Sequence, residues 1–475
     1  MNFYGSDNPS THQNNHKLRL LLTTFSFNPW FGAVTLTLVL LILGILSISD
    51  IYQLILLPFY FIVALYGSFN VFVFALSWRT EKLQPKKLDF IPQGIVTMLY
   101  LTYNDFKEDA FKTVLGGIRH CDKAIIVDDS TDPEIIEKID NIAKETGTSV
   151  IRREIRSGFK AGAINNALKK IDSDFIGIVD SDEMVPIDFV STALPYFTSE
   201  EIAFVQVSHR AVNNSTTWEK YMGYGVDMHW KLYHPYRNHY GVVNFLGHGA
   251  ILRRSAVLQA GGFPEIVAED IGLTTEFYIL GKRGVFVDEI KAGEDFPNSY
   301  SSFRKRHKKW TMGSTEFMRH YLKRILKSDM AWYEKLDIIV PSLSLPMTLL
   351  LFIYIMATSL LHIGSSLMLF GIALLSMGAP NLGFARMPLK REIPKTMAIN
   401  ALAYVSLFPT SVYYAIKGLI KPVFLVTGEH AKAKSTRKLE LAGDIGMGLF
   451  LIYSGGFSLL GIVCLLSGFL FLYFN

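Results

Sequence analysis

Cysteine is almost missing from this chain, which holds only Cys121 and Cys464 in 475 residues. One lies in a polar region and the other in an apolar run, so no disulfide framework is implied. Charge is also sparse, with 47 Lys and Arg against 42 Asp and Glu, a net of +5. So small and dispersed a surplus argues against a nucleic-acid partner. Metal-ligand pairs of familiar spacing are lacking too. His229, His234, His239 and His248 have no cysteine beside them, and a zinc centre is a weak reading of that set.

What the chain has in quantity is apolar residues, half of the total, gathered toward both ends. Trp30 to Ile48 is long enough to cross a bilayer as a helix, and Leu54 to Trp78 follows almost at once. A cleaved signal peptide does not fit, because a polar stretch precedes the first run and a second spanning run follows it. Residues 1–29 are therefore expected as a cytosolic N-terminal segment and 30–78 as a transmembrane hairpin. Ile338 to His362 and Ser365 to Ala379 read as a second hairpin over 338–380. Residues 381–440 hold an interface helix or further span, Thr396 to Ile416, with the interface preferred because the Lys-rich stretch after it would otherwise lie outside. Residues 441–475 form a C-terminal transmembrane segment, kinked near Gly455 and Gly456. Arg79, Lys82, Lys86, Lys87, Arg386, Lys390, Arg391 and Lys395 flank these runs, as cytoplasmic ends require. The expectation is a multi-pass integral membrane protein of the cell membrane, in contact with membrane lipids, whose residues 85–335 are cytosolic. The spans from Trp30 to Trp78 and Ile338 to Ala379 carry Asp50 only at a boundary, so the buried ionisable groups of a transporter are lacking there.

Between the apolar ends, β-branched runs alternate with helical patterns: Ile95 to Leu101, Ala124 to Val127, Ser149 to Ile151, Phe175 to Val179 and Ala203 to Val207. That alternation predicts βαβ units and a mostly parallel sheet, with ligands beyond the carboxyl ends of its strands. Two acidic clusters fall there. Ile125 to Val127 runs into Asp128 and Asp129, and Ile176 to Val179 runs into Asp180, Ser181 and Asp182. Crowded carboxylates need a cation or donors, and hard oxygen ligands suit Mg²⁺ or Mn²⁺ on a diphosphate. Either cluster alone serves equally well as a turn or helix cap.

Taken together, the motifs resemble the membrane-embedded inverting glycosyltransferase family 2 that includes cellulose, chitin and hyaluronan synthases. Thr102, Tyr103, Asn104 and Asp105 resemble the family's first-strand motif beside the nucleotide base, and Asp128 and Asp129 its base- and ribose-contacting pair. Lys160, Ala161 and Gly162 resemble its Lys-Ala-Gly motif, whose lysine approaches the diphosphate. Asp180 and Asp182 match its Asp-x-Asp metal motif. Phe245 to His248, ahead of Arg253 and Arg254, resemble its acceptor-side segment. Glu269 and Asp270 resemble the end of its Thr-Glu-Asp motif, whose Asp is the general base. Arg306 to Trp310 resembles its Gln-x-x-Arg-Trp motif, and Phe424, Val426 and Thr427 its gating loop. Ala268, Arg306, Lys309 and Glu429 depart from the pattern, and Lys309 keeps the charge without the guanidinium fork.

The resemblance implies an α/β GT-A-type (nucleotide-diphospho-sugar transferase) catalytic domain, with a mostly parallel central sheet, inserted between transmembrane helices. It implies a metal-dependent hexosyltransferase using Mg²⁺ or Mn²⁺ and a nucleotide-sugar donor, expected to be UDP-linked. The acceptor is a carbohydrate, in polysaccharide synthesis, or a lipid such as a polyprenyl phosphate or glycolipid. Asp270 is the expected base, Asp180 and Asp182 the metal ligands. Thr102, Tyr103, Asp128, Asp129, Lys160, Glu269, Arg306, Lys309, Trp310 and Thr427 are the expected substrate contacts. A dead nucleotide sensor is disfavoured, because base and metal carboxylates are intact. Neither the sugar nor the oligomeric state is legible.

Overall fold

The computed structural model describes residues 28–80, 84–212, 214–294, 298–360, 367–420, 422, 436–453, 461, 462, 464–466, 470 and 474. Eight strands form one sheet: β1 (Val96–Thr102), β2 (Lys123–Asp128), β3 (Ser149–Ile151), β4 (Phe175–Asp180), β5 (Glu183–Met184), β6 (Ile202–Ala211), β7 (Ala250–Arg253) and β8 (Arg283–Glu294). Their order is β3-β2-β1-β4-β7-β6-β8-β5. Strands β3, β2, β1 and β4 run parallel, β7 runs antiparallel to both its neighbours, and β6 and β8 pair parallel. Each of the five β-branched runs is a strand.

Alternation along β1 sends Met98 and Tyr100 to one core and Leu99 and Leu101 to the other, so the strand is buried on both faces. This double burial is why the parallel strands are continuously apolar until their carboxyl ends. There register sets Thr102 beside Asp128, and Leu101 beside Asp180. The polar ends of β1, β2 and β4 therefore form one rim.

Helix α1 (Pro29–Leu46) begins at the Asn28 cap and is followed by α2 (Leu57–Thr80). Both are long and apolar enough to cross a membrane. A buried carboxylate joins this hairpin to the rest of the fold. Asp337 accepts from Trp30 Nε1 at 3.2 Å, from Tyr236 Oη and from the Val242 amide at 2.7 Å.

The later apolar runs are less regular than expected. Instead of one straight span from Ile338, α9 (Trp332–Ser342) and α10 (Met347–Leu360) meet at 68°. Pro341 removes a helix hydrogen bond just before the break. Helix α11 (Leu367–Gly378) has 12 residues, about 18 Å of helix, less than a bilayer core. Within Thr396 to Ile416 the chain bends by 46° between α12 (Ile393–Ser406) and α13 (Phe408–Ile420). Asn400 of α12 donates to the Tyr221 carbonyl at 2.9 Å, seating this helix on α6 (Thr217–Tyr233) of the central domain.

The C-terminal segment does not run as one kinked helix over Asp444 to Tyr473. After α14 (Thr436–Tyr453), Gly461 lies backbone to backbone against Gly448, where a Cβ would fall 2.7 Å from the Gly448 carbonyl. The Phe474 carbonyl then accepts from the Tyr300 amide at 2.9 Å. The chain thus doubles back, and Gly448 and Gly461 are the small residues that permit the close approach. Gly455 and Gly456 lie outside the described residues.

Candidate active site

Helix α5 (Phe159–Leu168) follows a left-handed Gly158 and carries Lys160 in its first turn. Lys160 Nζ donates to Asp180 Oδ1 at 2.6 Å and to the Gly247 carbonyl at 3.0 Å. Gly247 has φ +90, and a Cβ there would stand 3.7 Å from both Lys160 Nζ and Asp270 Oδ2. This glycine is therefore where lysine and carboxylate meet. Burial pulls the Lys160 ammonium down, but Asp180, Glu269 and Asp270 outweigh it and the net shift is upward.

Glu269 and Asp270 open α7 (Glu269–Ile279), and Asp270 Oδ1 accepts from the Ile271 amide at 2.8 Å. Burial and the adjoining Asp270 push Glu269 up to about 7. Burial likewise raises Asp270, against the pull of that amide and of Lys160 and Lys309. Lys309 belongs to α8 (Tyr300–Lys327); burial lowers its ammonium, while Glu269, Asp180 and Asp270 act against the shift. Two lysines and three carboxylates thus share one buried field. Ala268, where the family has Thr, abuts Gly313 of α8, small residue against small.

Asp182 is raised to about 6, first by burial and then by Asp180 and Glu294, with His248 and Arg306 opposing. A half-buried carboxylate crowded by two others fits a hard divalent cation, and Asp180 and Asp182 would hold it. The Tyr100 hydroxyl reaches the Ser181 carbonyl at 2.7 Å and braces the turn between the two aspartates from the core.

At the carboxyl end of β2, Asp128 and Asp129 are already paired. Arg152 Nε lies 2.6 Å from Asp128, and Arg153 grips Asp129 through two nitrogens, at 2.8 and 2.5 Å. Arg156 stacks on the Tyr103 ring at 4.4 Å, and Thr102 is buried beside Asp128. Sequence reasoning missed these three arginines. Their adjacency to the end of β3 was the available signal.

On α8, Arg306 donates to Glu294 at 2.9 Å and lies over Trp310, which keeps 45 % of its surface exposed. Arg306 is thus turned to a carboxylate here. Arg253 and Arg254 sit at the opposite end of the sheet, Arg253 beside Phe175 in register and ion-paired with Glu200 at 3.1 Å. The four histidines do not gather, since His209 and Trp230 are stacked between His248 and His234. His248 instead joins His209 and Glu183, neither of which the sequence singled out. Thr427, Phe424, Val426 and Glu429 lie outside the described residues.

A family model described as glycosyl transferase family group 2 matches residues 175–415, from β4 into α13. The chain belongs to that family. Among curated relatives, a probable glucomannan 4-beta-mannosyltransferase 15 of Arabidopsis thaliana is 25% identical over 213 residues, 42% of this chain and 40% of its own length. Glucomannan 4-beta-mannosyltransferase 1 of Cyamopsis tetragonoloba is 24% identical, covering 55% and 51%. A beta-monoglucosyldiacylglycerol synthase of Synechocystis is 28% identical, covering 47% of each chain. The matched stretches span about two fifths to half of these relatives' lengths. Among solved structures, mannosyltransferase PcManGT from Pyrobaculum calidifontis, in complex with GDP-Man and Mn²⁺, superposes with a TM-score of 0.50 at 17% identity, covering 77% of this chain and all of that one. The fold is therefore GT-A-like, with a mostly parallel mixed sheet.

Proposed function

We propose that the chain is a membrane-embedded inverting glycosyltransferase that moves a hexose from a nucleotide-diphosphate sugar to an acceptor hydroxyl, forming a β-linkage. The observation that carries this reading is the convergence of Lys160, Lys309 and Asp180 with Asp270 around Gly247. Cationic donors for a diphosphate and a raised carboxylate for a proton then lie side by side.

Tyr103 and Arg156 flank the nucleotide base, and Asp129 faces the ribose after Arg153 is displaced or shared. Lys160 and Lys309 draw the diphosphate toward Asp180 and Asp182. Those aspartates would hold a Mg²⁺ or Mn²⁺ ion, which would supply Lewis-acid stabilisation of the leaving diphosphate. Asp270 takes the proton from the acceptor hydroxyl as its oxygen attacks the anomeric carbon opposite the departing oxygen. Glu269 raises the basicity of the pair. Trp310 offers an exposed ring face to the acceptor sugar.

Polymer elongation is the preferred outcome, supported by the glucomannan mannosyltransferase relatives. A single transfer to a lipid is the second reading, supported by the diacylglycerol relative. The test uses full-length protein in detergent or nanodiscs, given radiolabelled UDP-linked hexoses and GDP-mannose with Mg²⁺ or Mn²⁺. Label in a β-linked product supports the reading. Absence of transfer or hydrolysis from every hexose donor would overturn it.

A further inference from the structure

Beside the aspartate pair lies a cluster that the transfer chemistry does not use. Glu183 opens β5, His209 lies on β6 and His248 precedes β7, and each brings one ligand atom within 4.8 Å of the other two. Glu183 Oε1 stands 3.2 Å from His209 Nε2, and Glu183 Oε2 stands 3.2 Å from His248 Nδ1. Yet Glu183 Oε1, both His209 nitrogens and His248 Nδ1 make no hydrogen bond among the described residues. The Glu183 side chain is fully buried and that of His209 is 1% exposed. Buried polar atoms of this kind are normally satisfied. Each of these contacts is an ion pair only while an imidazole is protonated; with neutral imidazoles, one lone pair from each of the three side chains is open to a common cation.

The surroundings hold each ligand in place. Glu183 Oε2 accepts from the Gly249 amide at 3.1 Å, leaving Oε1 free to bind. His209 Nδ1 faces Glu294 Oε2 at 3.5 Å, and Trp230 stacks on the ring at 4.5 Å. A carboxylate behind the second ring nitrogen is the arrangement that orients metal-bound imidazoles. A Cβ on Gly249, at φ +60, would fall 1.9 Å from His209 Nε2 and 2.5 Å from Glu183 Oε1. Only glycine leaves the space between those two atoms open.

We propose that Glu183, His209 and His248 bind one divalent transition-metal ion, Zn²⁺ by preference, at a site separate from Asp180 and Asp182. Two imidazoles and one carboxylate select borderline ions over Mg²⁺, whose ligands are oxygens. The ion pins β5, β6 and the loop before β7 together one residue after Asp182. Through Glu294 and its Arg306 partner, the pin extends to the helix that carries Trp310. Such an ion is held whether or not the chain transfers sugar.

The test uses full-length detergent-solubilised protein, stripped by chelator and titrated with Co²⁺ in excess Mg²⁺, which occupies oxygen-only sites. The expected result is one equivalent of Co²⁺ with visible bands of nitrogen-ligated, four- or five-coordinate cobalt, lost on adding one equivalent of Zn²⁺. His209→Gln and His248→Gln should abolish the bands, and Asp182→Asn should keep them. The wild-type titration stands alone if a variant fails to fold. Saturating Co²⁺ without such bands, or bands kept in His209→Gln but lost in Asp182→Asn, would overturn the proposal.

Discussion

The Lys160 ammonium bridges Asp180 Oδ1, at 2.6 Å, and the Gly247 carbonyl, at 3.0 Å, tying the end of β4 to the loop that faces Asp270. The carboxylate proposed to hold the metal and the one proposed as base are thereby tied to one loop by a single side chain. The two roles remain separable, because Asp270 stands on α7 and Asp180 on β4.

Asp270→Asn should therefore abolish transfer while leaving nucleotide binding nearly intact. Loss of a general base costs about 10² to 10⁴ in rate. Nucleotide affinity by calorimetry and turnover by radiolabel, measured on one preparation, check both halves. Wild-type turnover in the Asn variant would remove Asp270 from the mechanism.

The acid limb of kcat/KM should fall near pH 7. Glu269 is raised to about 7 and Asp270 is raised beside it, so the pair still holds a proton at mildly acidic pH. A base must be deprotonated to act, so the rate should rise with pH through that region and drop roughly tenfold per unit below it. Glu269→Gln removes one negative charge and should move the limb to lower pH. An unchanged limb would separate Glu269 from the titration.

Metal dependence should follow from Asp182. Its carboxyl, pushed up to about 6 by burial and by Asp180 and Glu294, has too little positive compensation around it. Asp182→Ala should lose metal-dependent donor binding, and chelator should stop turnover in the wild type. Full activity in chelator would sink the assignment.

The parallel strands were legible because double burial makes them apolar to the last residue, where Asp128 and Asp180 then mark the rim. Lys160, Asp180, Glu269, Asp270 and Lys309 were named from motif resemblance and come together. Their neighbours were not legible. Arg152, Arg153 and Arg156 were not singled out, since only the turn after β3 aims them at Asp128, Asp129 and Tyr103. Glu183, His209 and His248 are far apart in sequence and meet through strand pairing. The reversal between Gly448 and Gly461 was hidden because hydrophobicity carries no direction. Asp444 was the first residue of the run expected to span, whereas it is a buried partner of Arg304.

That Arg304–Asp444 pair should be among the more destabilising sites in the chain. Arg304 is 1% exposed and donates to Asp444 at 2.7 and 3.2 Å, with Thr410 also accepting from it. Removing Asp444 leaves the buried guanidinium only the more distant Glu440, at 3.7 Å, as a counter-charge, and breaking a buried pair costs up to about 3–5 kcal/mol. Asp444→Asn should lower the thermal midpoint in detergent by several degrees, and Arg304→Met with Asp444→Leu should recover much of it. Equal stability of the single and double variants would show that the pair carries no coupling.

Acceptor use should depend on Trp310. Its ring is exposed on α8, with Arg306 lying 5.6 Å over its face and His307 4.9 Å from it. The two residues before it serve other ends, since Lys309 faces Glu269, Asp180 and Asp270 and Lys308 is bound to Glu440 on α14. A flat apolar face between anchored cations can stack on a sugar ring, and it offers a diphosphate nothing. Trp310→Ala should therefore raise the acceptor KM and shorten products, while donor hydrolysis and nucleotide affinity stay within about twofold of wild type. Equal losses in donor binding and acceptor use would instead assign Trp310 to the packing of α8. The same assay separates the two acceptor readings. Single-sugar products that extract into organic solvent, with no longer chains at saturating donor, would decide for the lipid.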